Sequence, residues 1–334
     1  MSRLNKELGL LQGIALLSTS LLGTGIFVVP ALAATAAGEA SLWAWMILIA
    51  LVLPVAFTFA QLGKRFPHAG GAPHLIGRFG LRMEGVSALL FLAVLPVGLP
   101  AALHIASGFW LALFDLDRAG LLVIELATLG FILLLGQRPP KASGMLQGLI
   151  ALAIVASVAL IWWVGDLPRA SQPLLPAMDG QWHLLPTALG VMFWCFVGIE
   201  AFTHLGEEFK HPERDFPLAL LLGVLLAGLV YWACSVAVLS FATYGDVHSD
   251  TTALPRLFEQ LLGEQARVPV VVLGYLACFA SMNVYIQGFA RLIWSLADEG
   301  RLPARLAVRN HHGVPGSALL LVVISCALCA MLSA

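Results

Sequence analysis

The chain has 334 residues, 60% of them hydrophobic and 11% charged, with a formal net charge of −1 and a mean hydropathy of +0.91. Soluble domains carry about 25% charged residues, so the composition excludes a water-soluble globule, and a charge near zero gives no ground for nucleic-acid binding. It reads as an all-α multi-pass membrane protein lying in a lipid bilayer.

Apolar spans are expected at about 8–36, 42–62, 84–114, 119–136, 143–165, 184–205, 217–243, 268–297 and 315–334, nine in all. The first carries no charge and is long enough to cross a bilayer, which takes about 20 apolar residues. Its start resembles a signal peptide, with Arg3 and Lys6 before an apolar run and Ala31-Leu32-Ala33 after it. The run is about twice the length of a signal h-region, about 7–15 residues, so a retained helix is expected. Gly23 and Gly25 flank Thr24 at its midpoint and Pro30 follows. Glycine costs about 1 kcal/mol in a helix interior and proline about 3, so the span is expected to break at membrane depth. Irregular backbone is tolerated there only when buried in protein or lining a cavity.

The loop after the second span, Gly63-Lys64-Arg65-Phe66-Pro67-His68-Ala69-Gly70-Gly71, ends one helix and starts a turn. Span three holds Pro96, Pro100 and His104, and a tilt or kink is expected there. Span four carries Glu125, and span five follows the basic turn Gln137-Arg138-Pro139-Pro140-Lys141. Residues 166–183 link two halves, and span six is interrupted at Phe196-Val197-Gly198-Ile199-Glu200. After span seven, residues 253–264 suit a short amphipathic helix. Of the eighteen lysines and arginines, fourteen fall on the side of the N-terminus, leaving Arg118, Arg169, Arg256 and Arg267 opposite. The positive-inside rule then places the N-terminus in the cytoplasm.

The broken spans lie five apart. An odd number of helices per repeat inverts the second copy, and sites form where such repeats meet. Residues 1–165 are read as the first repeat and 184–334 as an incomplete second. Two five-helix units need ten spans, so a tenth is unaccounted for.

At the first break the N–H groups of Thr24 and Gly25 and the Thr24 hydroxyl suit a carboxylate, with a half-helix dipole behind them. At the second, carbonyls near Trp194, Cys195 and Val197 suit an ammonium. A zwitterionic α-amino acid fits both; close helix packing through small residues is the alternative use of the same glycines. The lone Gly-x-Gly is no dinucleotide fingerprint, since no strand precedes it. Among ionisable residues, Glu200 either titrates or caps exposed N–H groups. Glu125 is a proton-relay candidate or a residue near an aqueous vestibule, and His104 and His204 are relay candidates or hydrogen-bonded core histidines. His311-His312 lack acids or cysteines beside them, and no metal ligands, cofactor or hydrolytic constellation is expected. The acids and bases of 207–215 are read as a salt-bridged face that gates or anchors the second half. The cysteines lie in apolar segments, including Cys326-x-x-Cys329, and are read as small core residues rather than redox groups.

The segments LLGTGIFVVPALAA, GKRFPHAGGAPH, FWCFVGIEAFTHLGEEFKHPERDFP and RLIWSLADEGRLP resemble the signature regions of the amino acid–polyamine–organocation transporters, in the same order and over essentially the whole chain. STSLLGTGIF, PVGLPAALHIASGF and VMFWCFVGIEAFTHL are most similar to the bacterial L-methionine/branched-chain amino-acid exporters. The resemblance implies a LeuT-like five-plus-five inverted repeat with helices 1 and 6 broken, an inner-membrane location and alternating access. It implies that Thr24 and Gly25, with Ile26 beside them, bind the substrate carboxylate. Leu21 and Leu22 would offer carbonyls to the ammonium, and Trp194, Cys195 and Val197 would face the substrate. Tyr285 would place an aromatic ring beside it, with Asn283 one helical face away. An apolar substrate such as methionine or leucine is expected, exported with protons as a possible coupling ion; oligomeric state is left open. An importer or exchanger of the same fold, or a transport-inactive truncated sensor or partner subunit, are the alternatives. Some proton-coupled relatives carry a lysine in the middle of span five. Here Ala151-Leu152-Ala153-Ile154 has none, so that route is absent.

Overall fold

The computed structural model describes residues 4–23, 25–167, 181–245 and 253–332, so Thr24 and most of the expected 166–183 linker lie outside the described residues. Span one is two helices, α1 (Leu10–Leu22) and α2 (Gly25–Ala37), bent by 49°. Gly23 stands at the bend with φ +23° and ψ −128°, a backbone that a side chain would strain. Span two is α3 (Ala40–Arg65), whose last turn carries Lys64 and Arg65 against the negative end of the helix. A one-turn helix, α4 (Gly71–Ile76), leads to span three. That span is divided into α5 (Leu81–Leu92) and α6 (Leu95–Gly108), interrupted just before Pro96. Spans four and five are α7 (Arg118–Gly136), capped by Asp117 accepting from Gly120 N at 2.8 Å, and α8 (Pro140–Val164).

Span six is α9 (Leu185–Phe193), a 3-10 turn over Trp194–Phe196, and α10 (Ile199–Phe202), the break falling at Gly198 with φ +123°. Span seven is α11 (Asp215–Ser240). A short helix, α12 (Ala253–Leu262), occupies the expected amphipathic segment. Span eight is α13 (Arg267–Asp298), and α14 (Gly316–Leu332) is the ninth apolar segment, at 17 residues. Among the described residues seven helices are long and apolar enough to cross a bilayer, and the bent α1–α2 pair makes an eighth.

Packing sorts the spans into two groups. Spans one, two, six and seven pack on one another, chiefly α11 on α3 and α1 and α9 on α2 and α3. Spans three, four, eight and nine form a second group, with α14 against α13, α7 and α6. Span five touches both, lying against α1, α11 and α13. Its Gln147 is buried where these meet: Nε2 donates to the Ala280 carbonyl of α13 at 2.9 Å, and Oε1 accepts from the Thr19 hydroxyl of α1. The outer surface is apolar, with Leu51, Phe57, Leu89, Phe131, Leu149 and Leu229 all exposed. A belt of this extent is met by lipid rather than water.

On the face where the basic residues gather, an N-terminal stretch is zipped to the end of span six. Glu7 N and Leu8 N both donate to the Glu208 carbonyl at 2.9 Å, and Lys210 N donates back to the Leu8 carbonyl at 2.9 Å. Arg291, one of the fourteen cations on the side of the N-terminus, lies inside α13 and is 1% exposed. It grips Glu208 through both carboxylate oxygens, Nη2 to Oε2 at 2.8 Å. Glu207 Oε2 accepts Ala69 N at 3.3 Å. Glu207 and Glu208 thus reach out to the α4 corner and to span eight.

In that corner burial, helped by the neighbouring His74, pushes His68 from 6.5 down to about 4. A histidine held neutral in the fold and free to protonate when unfolded contributes stability above its unfolded value, and that stability is lost as pH falls. The thermal midpoint is therefore expected to fall as pH drops from 6.5 toward 4. The same scan on His68→Gln should show a shallower slope.

Candidate functional site

The two broken spans face each other across a cavity of about 340 Å³, near the lower end of the range of ligand pockets, about 300–1,000 Å³. Leu21, Gly23 and Gly25 line it from span one, and Trp194, Cys195, Val197 and Glu200 from span six. Tyr231 enters from span seven, Phe91 and Leu99 from span three, and Ser281, Met282, Tyr285 and Phe289 from span eight. The lining therefore comes from both packing groups, and apolar side chains dominate it.

The first break is held open by side chains from elsewhere. The Tyr231 hydroxyl sits 2.8 Å from the Leu21 carbonyl and 3.1 Å from that of Leu22, donating between them, and the Ser281 hydroxyl donates to the Ser20 carbonyl at 2.9 Å. Tyr231 is fully buried and stacked on Trp45 at 4.9 Å, and Trp45 Nε1 donates to Ser235 Oγ at 2.6 Å. This relay fixes the end of α1 so that α2 starts afresh at Gly25. The first N–H groups of a helix have no partner inside it, so α2 presents donors and the positive end of its dipole at the break.

At the second break Tyr285 donates to the Val197 carbonyl at 3.0 Å. Glu200 turns back so that Oε2 accepts Gly198 N at 3.0 Å, which is the capping use of this carboxylate. Its side chain also lies on the cavity wall. Ser20 Oγ is buried on the same wall with no hydrogen-bond partner among the described residues, leaving one hydroxyl for a ligand.

The cavity thus gathers Leu21, Gly25, Trp194, Cys195, Val197, Tyr285 and Glu200. Leu22 reaches the site through its carbonyl alone, while Ile26 is buried in the core. Asn283 stands off the wall and donates to Ser143 Oγ of span five at 2.8 Å, with Gln287 Nε2 on its Oδ1 at 2.9 Å. Residues two apart on a helix do not share a face, so Tyr285 and Asn283 cannot both serve the cavity. Tyr231, Ser20 and Ser281 were missed. A tyrosine inside an apolar span was the available signal, because a buried phenol hydroxyl must find a partner.

His104, Glu125 and Arg118 converge at the opposite end from the basic face, off the cavity wall. Glu125 is 2% exposed; its Oε1 lies 3.1 Å from His104 Nδ1, 3.1 Å from Ser107 Oγ and 3.2 Å from Arg118 Nη1. Arg118 Nη1 is also 2.8 Å from His104 Nδ1. A protonated Nδ1 donates to Glu125, whereas a bare one accepts from Arg118. His204 is buried elsewhere, its Nδ1 3.0 Å from the Ala69 carbonyl and its Nε2 without a partner among the described residues, with Phe91 edge-on at 5.9 Å.

Comparison with known proteins agrees with this geometry. Residues 8–334 match the amino acid permease family. The chain is 53% identical over 329 residues to the L-methionine/branched-chain amino acid exporter YjeH of Escherichia coli (strain K12), covering 98% of this chain and 78% of that protein. It is 24% identical to the cadaverine/lysine antiporter of the same strain, over 96% of this chain and 73% of the antiporter. In structure it resembles a Na⁺-coupled sialic acid symporter in a substrate-bound outward-open state, with a TM-score of 0.72 at 13% identity, covering 98% of this chain and 75% of the other. It also resembles MhsT in complex with L-phenylalanine, with a TM-score of 0.69 at 14% identity, covering 98% and 80%. These likenesses give the LeuT-like fold. The two breaks, the cavity between them and the match along the chain lead to one conclusion: the chain belongs to the amino acid permease family.

Proposed function

We propose that the chain is a secondary active transporter of small neutral and hydrophobic L-amino acids, exporting methionine and branched-chain amino acids by alternating access. The observation that carries this reading is the mostly apolar cavity between two broken spans, with the start of α2 on one side and the carbonyls of Leu21 and Val197, each held by a tyrosine hydroxyl, at the breaks. The carboxylate sits at the start of α2, the ammonium near the Leu21 and Val197 carbonyls, each of which keeps a second lone pair beside its tyrosine. The side chain lies among Phe91, Leu99 and Phe289. A methionine or leucine side chain needs no charged partner there, which disfavours a basic cargo. Thr24, outside the described residues, adds its hydroxyl to the carboxylate end.

The distribution of lysines and arginines supports an N-terminus in the cytoplasm of a bacterial inner membrane, and the name of the 53%-identical relative supports export as the direction. The two packing groups supply the bodies that rock against each other. Glu200 and the His104–Glu125–Arg118 group are the proton-coupling candidates; in the latter, one proton on Nδ1 decides which neighbour the imidazole faces. Exchange of one amino acid for another is the second reading, favoured by the likeness to an antiporter.

Thermal stabilisation of the purified chain against the twenty amino acids tests the reading. A ligand at 100 times its Kd adds about 2.7 kcal/mol. Methionine, leucine and isoleucine are expected to raise the midpoint, and lysine is not. Tyr285→Phe removes the donor to Val197 and lets that carbonyl relax, and one neutral hydrogen bond contributes about 1 kcal/mol. A roughly fivefold weaker methionine affinity is expected. An unchanged affinity would remove Tyr285 from the site, and no stabilisation by any amino acid would sink the substrate class.

A further inference from the structure

At the corner between α4 and the end of α13, His68 and His74 stack with ring centroids 3.7 Å apart and planes 16° from parallel. One donor atom from each of His68, His74 and Glu299 lies within 4.8 Å of the other two, and all three residues are half-buried. None of them lines the cavity, and no step of amino-acid binding uses them. We propose that His68, His74 and Glu299 bind a divalent transition-metal ion of the zinc class, and that the bound ion clamps α4 to the end of span eight.

Two imidazoles in face-to-face contact cannot both carry a proton without repulsion; their nitrogen lone pairs run side by side in the stack, so one ring turns out of it when both bind one metal. Two nitrogens and one carboxylate oxygen match zinc, cobalt and nickel, whereas magnesium and calcium require oxygen ligands. Zinc bonds of about 2.1 Å in a tetrahedron set donors about 3.4 Å apart, so donors that lie within 4.8 Å of one another close by at most about 1.4 Å. Rotation of the half-buried Glu299 side chain supplies that movement. The second layer is in place, because His74 Nδ1 lies 3.5 Å from Glu84 Oε1 and a carboxylate behind a histidine orients the ring for metal. Arg301 holds Glu84 at 2.7 Å and Glu299 at 3.3 Å, and Ser295 Oγ donates to Glu299 Oε1 at 3.3 Å. Two carboxylates face one guanidinium, so the corner has a negative charge to spare for a cation. His68 Nδ1 accepts Gly70 N at 3.1 Å, and binding either exchanges that contact for the metal or uses Nε2.

The clamp acts on the corner where α4 meets the end of span six. Ala69, next to His68, bonds through both its amide and its carbonyl to Glu207 and His204 of span six. Fixing α4 to span eight therefore adds a second tie, beside the Arg291–Glu208 pair, between the end of a broken span and the opposite packing group. Zinc is expected to slow any rocking between the groups.

The test is a zinc titration of the full purified chain against a fluorescent chelator, without amino acid, so its outcome does not depend on the transport reading. One zinc per chain is expected, unaffected by excess magnesium and weakened about 10- to 100-fold by His74→Ala or Glu299→Gln. Cobalt(II) should give the intense visible absorption of a tetrahedral site, lost in the same variants. A His311→Ala/His312→Ala variant should bind as the parent does. Zinc affinity that persists in both His68→Ala and His74→Ala, or that disappears with His311 and His312, would overturn the site. So would absence of binding by a parent protein with a normal thermal transition. If His74→Ala does not fold, Glu299→Gln and the cobalt spectrum decide. Flux that stays unchanged at full zinc occupancy would overturn the clamp.

Discussion

Leucine at Gly25 or Gly198 is expected to abolish methionine-dependent stabilisation and all transport. A Cβ at Gly25 would run into the Tyr231 hydroxyl. That hydroxyl cannot retreat, because Tyr231 is fully buried, stacked on Trp45 and bonded to the Leu21 and Leu22 carbonyls. Displacing it collapses the turn that presents the start of α2. Gly198 is constrained twice, since its φ is +123° and a Cβ would lie 2.6 Å from Tyr285 Oη. Such a backbone costs about 1–3 kcal/mol for other residues, and even alanine there is expected to weaken binding on the order of tenfold to a hundredfold. Gly148→Ala is the control: it lies in α8 with nothing within 4 Å of the added carbon. A Gly25→Leu protein that still binds methionine would show that the break is a packing device.

Arg291→Met should be the most destabilising single change on the basic face. Arg291 and Glu208 are 1% and 2% exposed and joined by two hydrogen bonds. Removing one partner of a buried ion pair costs about 3–5 kcal/mol, because the other charge is left uncompensated, while replacing both is often nearly neutral. The thermal midpoint of Arg291→Met is expected to fall steeply, and the double variant Glu208→Leu/Arg291→Met to recover most of the loss. The Glu208 carbonyl still anchors the Glu7 and Leu8 amides in both proteins, so the comparison isolates the side-chain pair. Equal midpoints for single and double variants would mean that the pair does not carry this stability.

The breaks were legible because their cause is local. A glycine at positive φ inside an apolar run announces itself, and Gly23 and Gly198 stand where the chain bends. The groups that hold the breaks in shape were not legible. Tyr231 acts on carbonyls 209 and 210 residues away, and only the packing of α11 on α1 brings them together. The resemblance set Asn283 one helical face away from Tyr285, and its amide turns to Ser143. Span five was read for a lysine at Ala151–Ile154. The structure puts the polar contact one turn earlier, at Gln147, whose two partners sit on spans one and eight. His68 was read as part of a turn and His74 was given no role, since six positions of separation say nothing of a stacked pair.

Gln147 also bears on how the protein meets a membrane voltage. Carrying one elementary charge across 100 mV costs about 2.3 kcal/mol. An amide at the junction of three spans contributes nothing to that work whichever way α1 swings, and Glu208 with Arg291 moves as a neutral pair. A zwitterionic cargo adds no net charge. The electrical work of a turnover then falls on any proton carried by Glu200 or by the His104–Glu125–Arg118 group, so the current per amino acid moved counts those protons directly.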